Sequence, residues 1–234
     1  MTNLSGKKAI VLGGTSGIGL AIATALSEAG AHVIAASRRD PATVSIHNVK
    51  MEQVDVLDRS GLADLFSRYA PFDILVNAAT GGERASGPFS QMDLDGFQGS
   101  FKKLWGYTNS VRIGLEHMPA DGSIVLVSGY PARKCAAGMS AISTVGNAVE
   151  GFVRAIAPEI APRRINALSP GIIDTPMFAH QGEERAAFLK SATEANIIPR
   201  AGSTDEVAQG AMFLINNSFV TGTTVDVDGG ALLT

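Results

Sequence analysis

Seven short apolar runs recur along this chain, with helix-length patterns between most of them, and this alternation limits the possible folds more than any other feature. The runs are Lys8–Leu12, His32–Ser37, Val49–Val54, Ile74–Ala78, Ser123–Val127, Arg164–Leu168 and Thr223–Val227. The helical patterns cover Gly19–Ala29, Ser60–Tyr69, Leu94–His117, Ile142–Ile160 and Thr204–Leu214. Successive strands joined through a helix pair in parallel, and a parallel sheet is covered on both faces. Right-handed crossovers then predict a doubly wound α/β fold, with its ligand crevice at the carboxyl ends of the strands. At 234 residues and 45% hydrophobic, residues 1–234 suffice for one large domain with a full core and fall short of two.

The first strand leads into the most informative loop. Ala9–Leu12 breaks into Gly-Gly-Thr-Ser-Gly-Ile-Gly and then resumes as a helical pattern. Gly13, Gly17 and Gly19 allow a sharp turn and a close approach to a phosphate, while Thr15, Ser16 and Ile18 fill the loop between them. The free N–H groups and the positive end of the helix dipole would face the anion.

Further residues stand where a dinucleotide would need them. Ser37, Arg38 and Arg39 follow the second strand, with no carboxylate at the strand end. An arginine there can pair with a 2′-phosphate, which favours NADP(H) over NAD(H). Asp55 and Val56 follow the third strand and are placed to meet an adenine. Asn77, Ala78 and Ala79 follow the fourth, where small residues leave room for a cofactor. The stretch from Asn166 to Pro176 ends a strand in a Pro170-Gly171 turn. Its backbone, with Ile173 and Thr175, is placed for a carboxamide or a phosphate.

Together these segments resemble the short-chain dehydrogenase/reductase family, and the resemblance runs nearly end to end, through Val220–Gly230. It implies a single Rossmann-like domain with a three-layer arrangement around a seven-stranded parallel sheet. It also implies NAD(P) binding and a homo-oligomer, tetramer or dimer, built on the long helices and the C-terminal strand.

The family's chemistry uses a tyrosine and a lysine four residues apart on one helix face, with a serine and an asparagine in support. The segment Ala148–Phe152 sets the register of that helix, and places Ile142 at the tyrosine position and Gly146 at the lysine position. Neither side chain moves a proton, and the adjacent registers, Ser143/Asn147 and Ala141/Val145, do not restore the pair. Ser128 follows the fifth strand, with Gly129 at the usual serine position. Lys103, or Lys102 beside it, falls at the asparagine position. The chain thus resembles a divergent branch of the family that lacks the Tyr/Lys pair. Lys103 and Ser128 are the candidate catalytic residues. A lysine in the crevice can donate a proton or face an oxyanion, and burial lowers its pKa. Tyr130 and His180 are further candidates.

The substrate pocket is expected from Gly81–Pro88, Tyr130–Gly138 and a flap, Met177–Ile198, that interrupts the alternation. Phe89, Met139, Met177, Phe178 and Phe188 suggest an apolar body; Arg84, Arg133 and Lys134 either hold an anionic end or are solvated charges. The net charge of −3, without a basic block, argues against nucleic acid as a partner. Cys135 is the only cysteine, which excludes an intramolecular disulfide and a cysteine metal cluster. Met1–Lys8 lacks the apolar stretch of a signal peptide, and no run approaches the ~20 apolar residues of a membrane span. A cytoplasmic protein with a small-molecule substrate is therefore expected. Three functions stay open at this point. The first is an atypical oxidoreductase acting on a carbonyl or alcohol, the second a non-redox isomerase, lyase or cyclase, and the third a catalytically silent cofactor-binding sensor or structural subunit.

Overall fold

Period-two alternation in the first strand divides the core into two halves. In β1 (Lys8–Leu12), Ile10 and Leu12 face one side and Ala9 and Val11 the other, and all four are fully buried. A strand buried on both faces belongs in the middle of a parallel sheet. The computed structural model, which describes residues 3–40, 46–80 and 84–234, has this arrangement. Residues 1–2 of the N-terminal stretch and residues 81–83 of the expected pocket loop lie outside the described residues.

The sheet also contains β2 (His32–Ser37), β3 (Val49–Gln53), β4 (Ile74–Asn77), β5 (Ser123–Val127), β6 (Arg164–Pro170) and β7 (Thr224–Val227). The strands run parallel in the order β3-β2-β1-β4-β5-β6-β7. The helices are α1 (Gly17–Glu28), α2 (Arg59–Tyr69), α3 (Leu94–Ser100), α4 (Lys102–Gly114), α5 (Ser140–Ile160), α6 (Gly182–Thr193) and α7 (Thr204–Asn216). Ile10 and Leu12 pack with Phe66, Tyr107 and Val149, under α2, α4 and α5. Ala9 and Val11 pack with Ile22, Leu26, Val207 and Leu214, under α1 and α7. This is the expected three-layer Rossmann-like fold. Strand order reverses between β1 and β4, and that switch point is where an open α/β sheet forms its crevice.

The expected helix over Leu94–His117 is in fact broken. Phe101 N–H donates to the Gln98 carbonyl (3.0 Å), a tightened turn that ends α3, and α4 starts afresh at Lys102. Ser100 holds the break. Its hydroxyl donates to the Gly96 carbonyl and accepts from Ala85 N–H, both at 3.0 Å, which draws the 84–88 segment onto the helix. The break puts Lys103 in the first turn of a helix that points at the sheet's carboxyl edge.

Candidate active site

A cavity of about 590 Å³ opens along the carboxyl ends of the strands. Its wall includes Gly13, Thr15, Ser16, Gly17, Ile18 and Gly19 after β1, and Ser37, Arg38 and Arg39 after β2. Asp55 and Val56 follow β3, and Ala78 and Ala79 follow β4. Pro170, Gly171, Ile173 and Thr175 bound it beyond β6, with Lys103 and Ser128 at the same end. Asn77 is a correction to the sequence reading. It is fully buried outside the wall, where its amide donates to Ser110 Oγ (2.8 Å) and its Oδ1 accepts from Ala79 N–H (3.0 Å). It shapes the β4 loop from behind.

The glycine-loop end of the cavity offers unpaired donors. Asp58, Asp93 and Ser203 cap α2, α3 and α7 with their side chains. Ser16 at the start of α1 makes no such bond, and the first turn holds no acidic residue. Leu20 N–H is taken by the Ser16 carbonyl (3.2 Å), while the N–H groups of Gly17, Ile18 and Gly19 have no partner among the described residues and can meet an anion in the cavity. Gly13 has φ +77°, and a Cβ there would lie 2.7 Å from Ala79 N, so glycine alone lets the two loops meet. Thr15 Oγ1 donates to Ser37 Oγ (2.8 Å), which also accepts from Arg39 N–H (3.1 Å). These contacts fix the two arginines at the far end of the wall. This donor set and shape fit a dinucleotide.

Lys103 dominates the other end. Its Nζ donates to the Ser128 carbonyl (3.2 Å) and lies 5.5 Å from the centroid of the Tyr107 ring. Burial, and then the positive charge of Arg84, bring its pKa down from the usual lysine range to about 7. The dipole of α4 opposes a cation in its first turn as well. Tyr107 donates to the Val127 carbonyl (2.9 Å), and burial raises its pKa, so it stays a phenol. Tyr130 lines the same wall, its pKa also raised by burial. Lys102 is exposed, which decides between the two lysines left open by the sequence. His180 lies outside the wall and stacks on Phe188, 4.7 Å between ring centroids.

Ser128 faces away from Lys103. Its hydroxyl lies 3.2 Å from Glu150 Oε1 and 3.3 Å from the Gly146 carbonyl, so what it offers Lys103 is the backbone oxygen. The buried Glu150 is paired with Arg133 (3.2 Å), which also bonds Asp226 (3.0 Å). The sequence reading missed this network. Its only signal was an acid beside the apolar Val145, Val149 and Val153 stripe of α5. Ile142 and Gly146 both line the cavity. A Cβ on Gly146 would sit 2.8 Å from Ala132 Cβ, because the Tyr130–Ala132 turn rests directly on α5. Asn147 ties that turn down through the Ala132 carbonyl.

Similarity to known proteins agrees with this geometry. The family model described as enoyl-(acyl carrier protein) reductase matches residues 13–231. The 3-oxoacyl-(acyl-carrier-protein) reductase FabG of Chlamydia pneumoniae is 32% identical, over 97% of each chain. A solved short chain dehydrogenase/reductase family protein is 31% identical over the whole of both chains, with TM-score 0.85. A small-chain dehydrogenase solved in complex with NADPH is 29% identical over 97% of this chain and 99% of that one, with TM-score 0.84. The chain belongs to the short-chain dehydrogenase/reductase family, and its relatives include oxidoreductases of that family.

The packing at Gly146 yields a prediction. Installing the standard pair, as Ile142→Tyr with Gly146→Lys, must push the Tyr130–Ala132 turn off α5. Overpacking of this kind destabilises by about 1–3 kcal/mol. Thermal denaturation is expected to show a clearly lowered Tm for the double variant and for Gly146→Lys alone, and little change for Ile142→Tyr. An unchanged Tm for Gly146→Lys would contradict the packing argument.

Proposed function

We propose that this chain is an atypical NADP(H)-dependent oxidoreductase that interconverts a carbonyl and an alcohol on a small molecule without a Tyr/Lys pair. Lys103 carries the proton in this reading. The observation behind it is Lys103 Nζ in the cavity wall with its pKa brought to about 7. A group poised near neutrality can give a proton to a developing alkoxide and take it back in the reverse direction. When bound, the nicotinamide supplies or accepts the hydride.

The remaining residues bind and orient. The uncapped start of α1, with Gly13, Thr15, Ser16, Gly17, Ile18 and Gly19, holds the pyrophosphate. Arg38 and Arg39, beside Ser37, hold the 2′-phosphate, and Asp55 and Val56 border the adenine. Ala78 and Ala79 leave room for the cofactor, and Pro170, Gly171, Ile173 and Thr175 border the nicotinamide end. Ser128 orients Lys103 through its carbonyl. The NADPH complex of the similar small-chain dehydrogenase supports the choice of cofactor. Residues 1–234 make one dinucleotide-binding domain in this reading, with residues 177–198 as a flap. Arg185 anchors that flap to Asp174 and to the Thr175 carbonyl, both at 2.8 Å. The exposed Trp105 on α4 suits a homo-oligomer built on the long helices.

Two measurements test the reading. Carbonyl reduction needs Lys103 protonated, so kcat is expected to fall as pH rises through about 7, while the reverse oxidation rises over the same window. Lys103→Met is expected to lower kcat by roughly 10²–10⁴-fold and to flatten that profile, with NADPH binding retained. Full kcat in this variant would sink the assignment, and turnover with no change in nicotinamide absorbance would point instead to an isomerase, lyase or cyclase. In fluorescence titrations, Arg38→Ala with Arg39→Ala is expected to weaken NADPH by about 10–100-fold and to leave NADH unchanged. Equal losses for the two cofactors would remove the 2′-phosphate argument.

A further inference from the structure

Three basic side chains were candidates for an anionic substrate end, and the fold separates them. Arg133 is paired with Asp226 and Glu150. Lys134 donates to the Ala231 carbonyl (2.7 Å) and to Thr234 Oγ1 (3.0 Å). Arg84 lines the cavity, and its one hydrogen-bond contact among the described residues is to the sulfur of Met177 (3.0 Å). Lys103 shares that space, with the Ser128 carbonyl and the Tyr107 ring as its neighbours.

Nothing negative stands beside the two cations among the described residues. The carboxylate in the described wall is Asp55, at the β3 end with Arg38 and Arg39, where its Oδ1 accepts from Leu57 N–H (2.9 Å). Glu150 lies behind the Ser128 hydroxyl and is held by Arg133. Tyr107 and Tyr130 are both kept as neutral phenols by burial. Two cations sharing a partly dehydrated space repel each other, and an anionic ligand relieves both the repulsion and the lost hydration. The rest of this end is largely apolar, with Met139, Ile142, Val145 and Phe178.

We propose that Arg84 and Lys103 form a carboxylate subsite, and that the substrate is an oxo-acid, or the matching hydroxy-acid, on an apolar body. The inference rests on the oxidoreductase reading of the same cavity. Arg84 presents a planar fork suited to a carboxylate. Lys103 then serves both the carboxylate and an adjacent carbonyl oxygen, so the two groups must be close in the substrate. Arrival of the anion also favours the ammonium form of Lys103, which charges the proton donor at the moment it is needed.

Calorimetric titration of the full chain tests this, with and without NADPH. The probes are benzoylformate, phenylpyruvate and 4-methyl-2-oxopentanoate, each beside its methyl ester. The runs are made at about pH 8, in buffers of different ionisation enthalpy. At least one acid is expected to bind more tightly than its ester, with uptake approaching about one proton per site. Lys103→Met is expected to abolish the uptake, and Arg84→Gln to weaken the acid by roughly 10–100-fold while leaving the ester unchanged. Three results would overturn the subsite. One is equal binding of acid and ester across the panel. Another is no binding by any acid to a protein that binds NADPH. The third is proton uptake on NADPH binding alone with none added by the acids, since the two cations would then serve a cofactor phosphate. Failure to bind NADPH would defeat the oxidoreductase reading instead, and acid-selective binding to that protein would still establish the subsite.

Discussion

A partly buried lysine ammonium, with a second cation nearby and no carboxylate beside it among the described residues, is the constraint around which this site is arranged. Its geometry is inherited from the break at Phe101, which restarts the helix so that Lys103 falls in the first turn of α4. The Tyr107 ring and the Ser128 carbonyl hold Nζ there, and Lys103 lines the cavity. Burial, the Arg84 charge and the α4 dipole make the charged form of Lys103 harder to hold, and the Ser128 carbonyl and Tyr107 ring offset them only in part. In the oxidoreductase reading, the net effect gives a residue type that is ordinarily inert near neutral pH a usable proton.

In the register that the family resemblance implies, the positions that would serve catalysis have structural duties. Gly146 and Asn147 receive the Tyr130–Ala132 turn, and a side chain at 146 has no room. The Ser128 hydroxyl is taken up by α5, and Glu150 and Arg133 link that helix to Asp226 on β7. In the oxidoreductase reading, proton chemistry has moved across the cavity, from α5 to α4. The cofactor half does not depend on that move, because its donors come from the loops after β1 and β2.

Much of this was legible in the sequence, for physical reasons. Strands buried on both faces must be apolar throughout, which made β1, β4 and β5 visible, and all seven strands lie within two residues of their expected ends. The glycine loop was visible because the turn tolerates few other residues. The break at Phe101 was not, since the apolar spacing of Leu94, Phe97, Phe101 and Leu104 continues through it and only tertiary contacts to Ser100 show where the chain turns. Asn77 was misread for a similar reason, because its partner Ser110 lies on a distant helix. Arg84, Arg133 and Lys134 look alike as a sequence; which of them lacks an acidic partner among the described residues depends on Asp226, Glu150 and the C-terminal turn.

The most direct test is a ¹³C NMR titration of the Lys103 side chain in the intact 234-residue chain, assigned by comparison with Lys103→Met. The account predicts a midpoint near 7, well below the ordinary lysine value, that moves upward in Arg84→Gln. A midpoint in the ordinary lysine range, near 10.5, would mean that the cavity does not perturb Lys103, and its role as proton carrier would fall.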